Sequence, residues 1–182
     1  MTINPIFYLA AFWGFGEATL FFLVPDILLS FVALRDLRLA LKLSFIAALF
    51  ATFGGVLMYG FGFYDESLAF NLLSNIPAID FKLIQLVQVQ IAELGYFSLL
   101  QGAFSGVPYK IYAVNIGALH QGPLDLLLFL LVSVPARFVR FILSVFVSRI
   151  VSNFLSPYAS VQHQTLVFCI FWVVFYAVYF QN

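Results

Sequence analysis

The sequence predicts an all-α integral membrane protein, a single bundle that combines full transmembrane helices with two re-entrant helical hairpins. The first reason is composition, since 64% of the 182 residues are apolar and 9% are charged, against roughly 45–50% and 25% in a soluble domain. The second is that apolar segments recur at the length of a membrane crossing, and the third is that two of them are broken by a Val-Pro pair. A net charge of zero argues against a basic face that binds nucleic acid.

A full crossing takes about 20 mainly apolar residues, and three segments meet this requirement. Residues 43–64 carry no charge, residues 124–149 are long enough in spite of Pro135 and two arginines, and residues 164–181 end in aromatic side chains. Aromatic side chains at a helix end are typical of the membrane–water interface. We therefore expect three through-going helices, the last of them anchored by its aromatic residues.

The other two apolar regions, about residues 6–34 and 96–119, are long but interrupted. Proline removes a backbone donor and pushes the preceding residue out of the α region, so each Val-Pro predicts a helix end. The pieces on either side are too short to cross alone. Two re-entrant hairpins explain the pattern, and two Pro-broken helices that kink and still span are the alternative. The predicted turn residues are Pro25 in the first hairpin and Gly106, Pro108 and Tyr109 in the second.

The two halves of the chain share an order of elements. The interval from Pro25 to Gly54 equals that from Pro108 to Arg137, 29 positions in each case. Because one full span separates the two hairpins, they would enter from opposite faces and the halves would be inverted relative to each other. Inverted repeats with discontinuous helices that meet near the membrane midplane recur in transporters.

The segment between the first span and the second hairpin, residues 66–94, is the most polar part of the chain. Its second half mixes charged and apolar residues in the pattern of an amphipathic helix, which predicts a connector on the membrane surface. Loop cations predict the orientation, with the amino terminus in the cytoplasm by the positive-inside rule. These cations are Arg35, Arg38, Lys42 and Arg149 on the amino-terminal side and Lys82 on the other.

Five ionisable side chains lie inside otherwise apolar stretches: Glu17, Asp26, Lys110, Arg137 and Arg140. Charges at such positions cost roughly 2.5–3.5 kcal/mol on insertion scales, so they indicate a functional requirement. Arg137 and Arg140 share one helix face and would form a fork for a phosphate or carboxylate. The alternatives are that the two acids neutralise them as internal ion pairs, or that Arg140 extends to the interface.

Glu17 and Asp26 are candidate proton carriers, because burial opposes ionisation of a carboxylate whereas a nearby guanidinium favours it. Asp26 directly follows a proline, so ordinary turn or N-cap chemistry also explains it. With both acids ionised, three cations and two anions sum to +1, and with both protonated the sum is +3. A site of this kind would bind an anionic group with a strength that depends on protons.

The remaining polar and small residues indicate packing or connection. Gly54 and Gly55, together with Tyr59, permit close approach of helices. His120 and His163 have no partner at metal-ligand spacing. No phosphate-binding loop, zinc-protease helix or nucleophile elbow occurs in the sequence, so neither a metal nor a cofactor is predicted.

Together these residues resemble the DedA family of membrane proteins, whose shared region is also called the VTT or SNARE-associated Golgi protein domain. The resemblance extends from about Phe12 to Arg149, and its second hairpin is most similar to the YqaA-type branch. The segments that carry it are Glu17, Val24 to Leu29, Gly54 to Gly60, Val107 to Lys110 with Gly117, and Pro135 to Phe141.

The resemblance implies two opposed re-entrant hairpins and movement of lipids, such as undecaprenyl phosphate or phosphatidylethanolamine, across the bacterial inner membrane, with scramblase activity in eukaryotic relatives. It also implies that Glu17, Asp26, Arg137 and Arg140 are the functional residues. We therefore expect a flippase or scramblase for an anionic lipid, coupled to protons. A membrane enzyme that acts on lipid phosphates and a structural or assembly protein are the alternatives. The sequence leaves oligomer formation open.

Overall fold

The structure is a computed structural model that describes residues 4–19, 21–119 and 122–180. All regular structure in these ranges is helical, as the sequence predicts. The helices are α1 (Pro5–Ala18), α2 (Asp26–Ala33), α3 (Leu37–Tyr64), α4 (Glu66–Ser74), α5 (Phe81–Leu94), α6 (Ser98–Ser105), α7 (Tyr109–Ala118), α8 (Pro123–Leu155) and α9 (Val161–Tyr179), with a 3₁₀ turn at Gly95–Phe97 between α5 and α6.

Within the described residues, four helical stretches are long and apolar enough to cross a membrane. They are Leu37–Tyr64, Phe81–Ser105, Pro123–Leu155 and Val161–Tyr179. Stretches of this length and hydropathy indicate an integral membrane protein, which confirms that part of the prediction. The sequence predicts three such stretches rather than four, because it assigns the second to a surface connector and the start of a hairpin.

The additional stretch arises because α5, the 3₁₀ turn and α6 follow one another without an extended loop. Gly95 has a φ of 57°, which glycine adopts at low cost. The regular α-helical path of α5 is therefore interrupted at this residue. On α5 the buried residues Ile84, Val87 and Ile91 form a single stripe, as in an amphipathic helix. The surface position of this helix stays a prediction.

The predicted end of α3 at residue 64 is correct and the predicted start of α8 is one residue late, whereas α3 begins earlier and α8 ends later than predicted. The helix α3 begins before residue 43 because the side chain of Asp36 accepts a hydrogen bond from the Leu39 N–H at 2.9 Å, which caps its amino terminus. The helix α8 continues past residue 149 to Leu155 and runs through Pro135 without interruption. The end of the last predicted span, residue 181, lies outside the described residues, as does His120.

Both predicted interruptions are present. The helix α1 ends at Ala18, and α2 begins directly after Pro25. The helix α6 ends at Ser105, where Gly106 adopts the left-handed conformation with a φ of 78°, a common way to terminate a helix. The helix α7 then begins directly after Pro108. Each of these four helices is shorter than a membrane crossing.

The two halves of the chain pack reciprocally. The helix α1 lies against α3 and α6 lies against α8, so the first helix of each broken pair packs on the long helix that follows it. The second helix of each pair packs on the long helix of the other half, α7 on α3 and α2 on α8. The long helices α3 and α8 also contact each other. Each broken pair therefore contacts both of the long helices α3 and α8.

Small residues on α3 allow these close contacts. A Cβ on Gly54 would lie 2.7 Å from a backbone carbonyl oxygen of α1, and one on Gly55 would lie 2.2 Å from the Tyr109 hydroxyl oxygen. On α7, a Cβ on Gly117 would lie 2.0 Å from the Tyr59 carbonyl oxygen. Contacts this short require glycine at the helix interface, so the broken pairs are fixed against α3 at defined positions.

Candidate functional site

The five embedded charges converge on one region although four different helices carry them. Glu17 lies near the end of α1, Asp26 begins α2, Lys110 lies in the first turn of α7, and Arg137 and Arg140 lie in α8. The first four are buried, with residue exposures of 2–5%, and the Arg140 side chain is 19% exposed. The tips of both broken helix pairs therefore meet beside α8.

Glu17 and Arg137 form a direct ion pair in which Arg137 Nη2 donates to Glu17 Oε2. The guanidinium lies 4.9 Å from the ring centroid of Tyr109 and 4.7 Å from that of Phe141, within the range of cation–π attraction. Tyr109 is itself fixed, because its hydroxyl donates to Ser133 Oγ at 2.9 Å. The Arg137 guanidinium is thus held by a carboxylate and two aromatic rings.

Asp26 and Arg140 form a looser pair. Arg140 Nε lies 3.8 Å from Asp26 Oδ2, beyond the usual hydrogen-bond distance. Both of these atoms are buried, and neither has a hydrogen-bond partner among the described residues. Buried polar atoms without a partner are rare in native proteins, and an ordered water or an ion commonly satisfies them. Asp26 and Arg140 can therefore each form a hydrogen bond with a further polar group.

Lys110 has a different kind of partner. Its Nζ donates to the backbone carbonyl oxygen of Phe21 at 2.6 Å, and among the described residues no carboxylate forms a salt bridge with it. This hydrogen bond joins the start of α7 to the segment between α1 and α2. Lys110 is therefore a buried lysine that is held by a backbone oxygen and not by a direct ion pair with an acid in the described part of the chain.

The non-helical segment before α2 is secured by side chains from three helices. Trp13 Nε1 donates to the Leu23 carbonyl oxygen at 2.9 Å, and the Val24 N–H donates to the Tyr176 hydroxyl at 2.9 Å. Lys110 supplies the third hydrogen bond. Non-helical backbone surrounded by apolar residues requires such partners, because an unsatisfied backbone group costs several kcal/mol.

A small cavity of about 50 Å³ lies between the two tips and the last helix. Glu17, Lys110 and Arg140 line it, and Tyr176 and Tyr179 of α9 form part of its wall. A cavity of this size has room for a few water molecules. Arg137 and Asp26 lie behind the wall, and each is paired with a charged residue that faces the cavity. The cavity thus presents two cations and one acid.

Comparison with known proteins gives a distant likeness. A protein of Haemophilus influenzae, named only as an uncharacterized protein, is 26% identical over 135 residues, which cover 71% of this chain and 68% of that protein. No family model matches the chain, and no solved structure matches it. The function of this chain therefore has to be argued from its site.

The aromatic residues of α9 are the part of the site that the sequence does not reveal. The sequence assigns them to interface anchoring, whereas the structure places Tyr176 and Tyr179 on the cavity wall. Trp172 Nε1 also donates to Ser30 Oγ on α2 at 3.1 Å. The sequence signal that could have revealed them is the four-residue spacing of Phe168, Trp172 and Tyr176. This spacing puts the three side chains on one helix face, and two of them, Trp172 and Tyr176, carry a polar group at the end of the ring.

Metal binding finds no support in the described ranges. Within residues 4–19, 21–119 and 122–180, no group of three His, Cys, Asp or Glu side chains could hold a metal ion. What the site offers chemically is cationic hydrogen-bond donors beside a small polar cavity, an arrangement suited to an anionic group.

Proposed function

We propose that this chain is a polytopic membrane transporter, a flippase or scramblase, for a lipid with an anionic headgroup. The observation that carries the proposal is the cavity between the two helix breaks, where Lys110 and Arg140 face Glu17 and Glu17 is already paired with Arg137. The cavity therefore has an excess of positive charge inside an apolar protein. We further propose membership of the DedA family, on the motifs that carry the resemblance.

Two re-entrant hairpins, α1 with α2 and α6 with α7, are the membrane arrangement we propose. Support comes from the short helices on either side of Pro25 and Pro108 and from the hydrogen bond between Lys110 and Phe21 that joins the two tips. Reciprocal packing of the two halves agrees with an inverted repeat. In this arrangement α3, α8 and α9 span the membrane, α5 lies at its surface, and the amino terminus is in the cytoplasm of a bacterial cell.

Lys110 and Arg140 would bind the phosphate of the headgroup. Lys110 can exchange the Phe21 carbonyl oxygen for a phosphate oxygen, and Arg140 Nε has a donor that no described residue uses. Guanidinium binds phosphate with directed, charge-assisted hydrogen bonds, whereas an ammonium acts as a point charge. The helix α7 also begins at the cavity without a side-chain cap, so its free N–H groups favour an anion there.

Proton dependence would enter through Asp26. In the ionised state this carboxylate attracts Arg140 from 3.8 Å and competes with the headgroup. Protonation removes that competition and leaves Arg140 free for phosphate. Glu17 is less suited to this role, because it is directly bonded to Arg137. Headgroup binding should therefore strengthen as the pH falls.

The cavity of about 50 Å³ is too small for a lipid headgroup, so transport would require it to widen. Its movable wall would be α9, because Gln164 and Phe168 are the buried residues of this helix and most of its other side chains are exposed. Rocking of packed elements around a fixed site is the common way to alternate access in transporters with inverted repeats. A headgroup would enter when α9 and the tips separate.

The test is lipid redistribution in vesicles that contain the purified chain. Fluorescent phosphatidylglycerol in both leaflets is bleached from outside with a membrane-impermeant reductant, and the lipid is then analysed chemically. We expect the inner-leaflet fraction to become accessible with its lipid unchanged. Chemically altered lipid would support the enzyme alternative, and an inaccessible inner leaflet, equal to that of protein-free vesicles, would contradict the proposal.

A further inference from the structure

A second and much larger concavity lies next to the charged cavity. It is a groove of about 550 Å³ between α1 and the segment that precedes α2, and its walls include Phe12, Trp13, Gly16 and Phe21. Phe12 is 77% exposed, so the groove opens on the outer surface of the bundle. That surface is the one that contacts lipid in a membrane-embedded chain.

The groove is suited to an apolar occupant because the polar groups of its wall already have partners. The Trp13 indole N–H is bonded to the Leu23 carbonyl oxygen. The Thr19 hydroxyl is bonded within α1, with the Phe15 and Gly16 carbonyl oxygens at 3.1 and 3.0 Å. Water needs two to four polar partners to be held in a cavity, and this wall offers it few. Hydrocarbon fits the remaining surface.

The groove and the charged cavity adjoin at Phe21, which lines both. The carbonyl oxygen of Phe21 is the atom that accepts the hydrogen bond from Lys110 Nζ. A phosphate that replaced this carbonyl oxygen at Lys110 would therefore sit beside Phe21, next to the groove. A molecule that carries a phosphate at one end and a hydrocarbon chain next to it could place the phosphate in the cavity and the chain in the groove.

We infer that the groove between α1 and the segment before α2 binds one acyl chain of the phospholipid whose phosphate occupies the cavity. This inference rests on the proposed function and adds the chain-binding half of the substrate site. The chain would lie along α1 against Phe12 and Trp13 while the second acyl chain stays in the bilayer. The headgroup would thereby move between leaflets without its chain leaving apolar surroundings.

Gly16 offers a way to fill the groove without disturbing the backbone. A Cβ at Gly16 meets only the Phe21 Cβ, at 3.7 Å, which is ordinary van der Waals contact. Gly60 on α3 is a matched control, since a Cβ there meets nothing within 4 Å and Gly60 does not line the groove. Gly16→Leu and Gly60→Leu therefore add the same side chain to two helices, and only the first obstructs the groove.

The experiment is photolabelling of the full chain in lipid nanodiscs. The probe is phosphatidylglycerol with a diazirine at the end of one acyl chain, and labelled peptides are mapped by mass spectrometry. We expect labels to concentrate on α1 in the wild-type protein. Gly16→Leu should lower that labelling by about tenfold, equivalent to the lost burial of about two methylene groups, and Gly60→Leu should leave it unchanged.

A second pair of variants guards against misfolding of Gly16→Leu. Phe12→Ala removes an exposed groove side chain, and Phe154→Ala removes an equally exposed one, at 75%, on α8. We expect weaker labelling of α1 in the first variant alone. Equal labelling of α1 in Gly16→Leu and Gly60→Leu would overturn the inference. Loss of labelling in Gly16→Leu but not in Lys110→Gln would keep the groove and instead contradict the proposed headgroup site.

Discussion

The two acid–arginine pairs join the same parts of the molecule, the first broken helix pair and α8, yet they are built differently. Glu17 and Arg137 are bonded directly, with the guanidinium between two aromatic rings. Asp26 and Arg140 are 3.8 Å apart, with Asp26 Oδ2 and Arg140 Nε lacking partners in the described residues. Arg137 Nε also lacks a hydrogen-bond partner in the described residues, so the difference between the pairs lies in the direct carboxylate bond and the two aromatic contacts that hold Arg137.

This difference separates a structural role from a binding role. A buried ion pair whose partners are well placed positions its helices, and removal of one partner leaves an uncompensated buried charge. A loosely matched pair costs less to separate and can accept a new anion. We therefore assign the positioning of the tips to Glu17 and Arg137, and headgroup binding to Arg140 together with Lys110.

The largest expected effect follows from breaking the tight pair. Glu17→Gln should lower the free energy of unfolding by about 3–5 kcal/mol, because the Arg137 guanidinium is left buried without its carboxylate. The measurement is thermal unfolding of the purified protein in detergent. The double variant with Glu17→Gln and Arg137→Met should regain most of this loss, since an apolar replacement of a buried pair is often neutral. An unfolding temperature for Glu17→Gln equal to that of the wild type would refute the structural role.

The next effect concerns the loose pair. Arg140→Lys keeps the charge but removes the planar donor fork, so it should slow lipid redistribution by roughly tenfold, the equivalent of about 1.4 kcal/mol, at nearly unchanged stability. Arg38→Lys, at an exposed position, is the matched control. Redistribution at the wild-type rate in both variants would show that the guanidinium of Arg140 does not bind the headgroup.

A pH profile distinguishes the two acids. Wild-type redistribution should become faster as the pH falls, because protonation of Asp26 releases Arg140. Asp26→Asn imitates the protonated state, so we expect it to match the low-pH wild-type rate at every pH. Glu93→Gln, at an exposed acid, should keep the wild-type profile. A pH-dependent rate that survives in Asp26→Asn would assign the proton to another group, with Glu17 the first to test.

The smallest effect lies at the junction of α9 with the first hairpin. Tyr176→Phe removes the acceptor of the Val24 N–H and should cost about 0.5–1.5 kcal/mol. Hydrogen exchange at the Val24 amide should become faster in this variant. Tyr158→Phe, at an 83% exposed position, is the control. Unchanged exchange at Val24 would argue that this hydrogen bond does not hold the segment to α9.

Local signals in the sequence predict the helix breaks and the inventory of charges. Proline lacks a backbone N–H and clashes with the carbonyl group four residues earlier, so Pro25 and Pro108 mark the breaks correctly, whereas Pro135 is accommodated inside α8. The limits of α5 and α6 are harder to predict, because one glycine conformation at Gly95 decides how two apolar segments join. Whether Gly95 adopts this conformation depends on the residues against which α5 and α6 pack.

A single sequence does not show which residues pair when they are far apart along the chain. Which acid meets which arginine depends on the rotation of α1 and α8 about their axes, which the packing of Gly54 and similar residues determines. Arg149 gives another example. The sequence treats it as a loop cation, whereas its Nη1 donates to the Leu34 carbonyl oxygen at 3.2 Å, near the carboxyl end of α2, where a cation is favourable.

The most direct test of the account is the rate of phosphatidylglycerol redistribution in vesicles that contain Lys110→Gln. Lys110 forms no salt bridge with a described acid, so it is available to the headgroup, and its removal should slow redistribution by at least roughly tenfold, as expected for the loss of a charge-assisted hydrogen bond. Lys82→Gln, at an exposed lysine on α5, should retain the wild-type rate. Wild-type redistribution in correctly folded Lys110→Gln would contradict a headgroup site between the two hairpin tips.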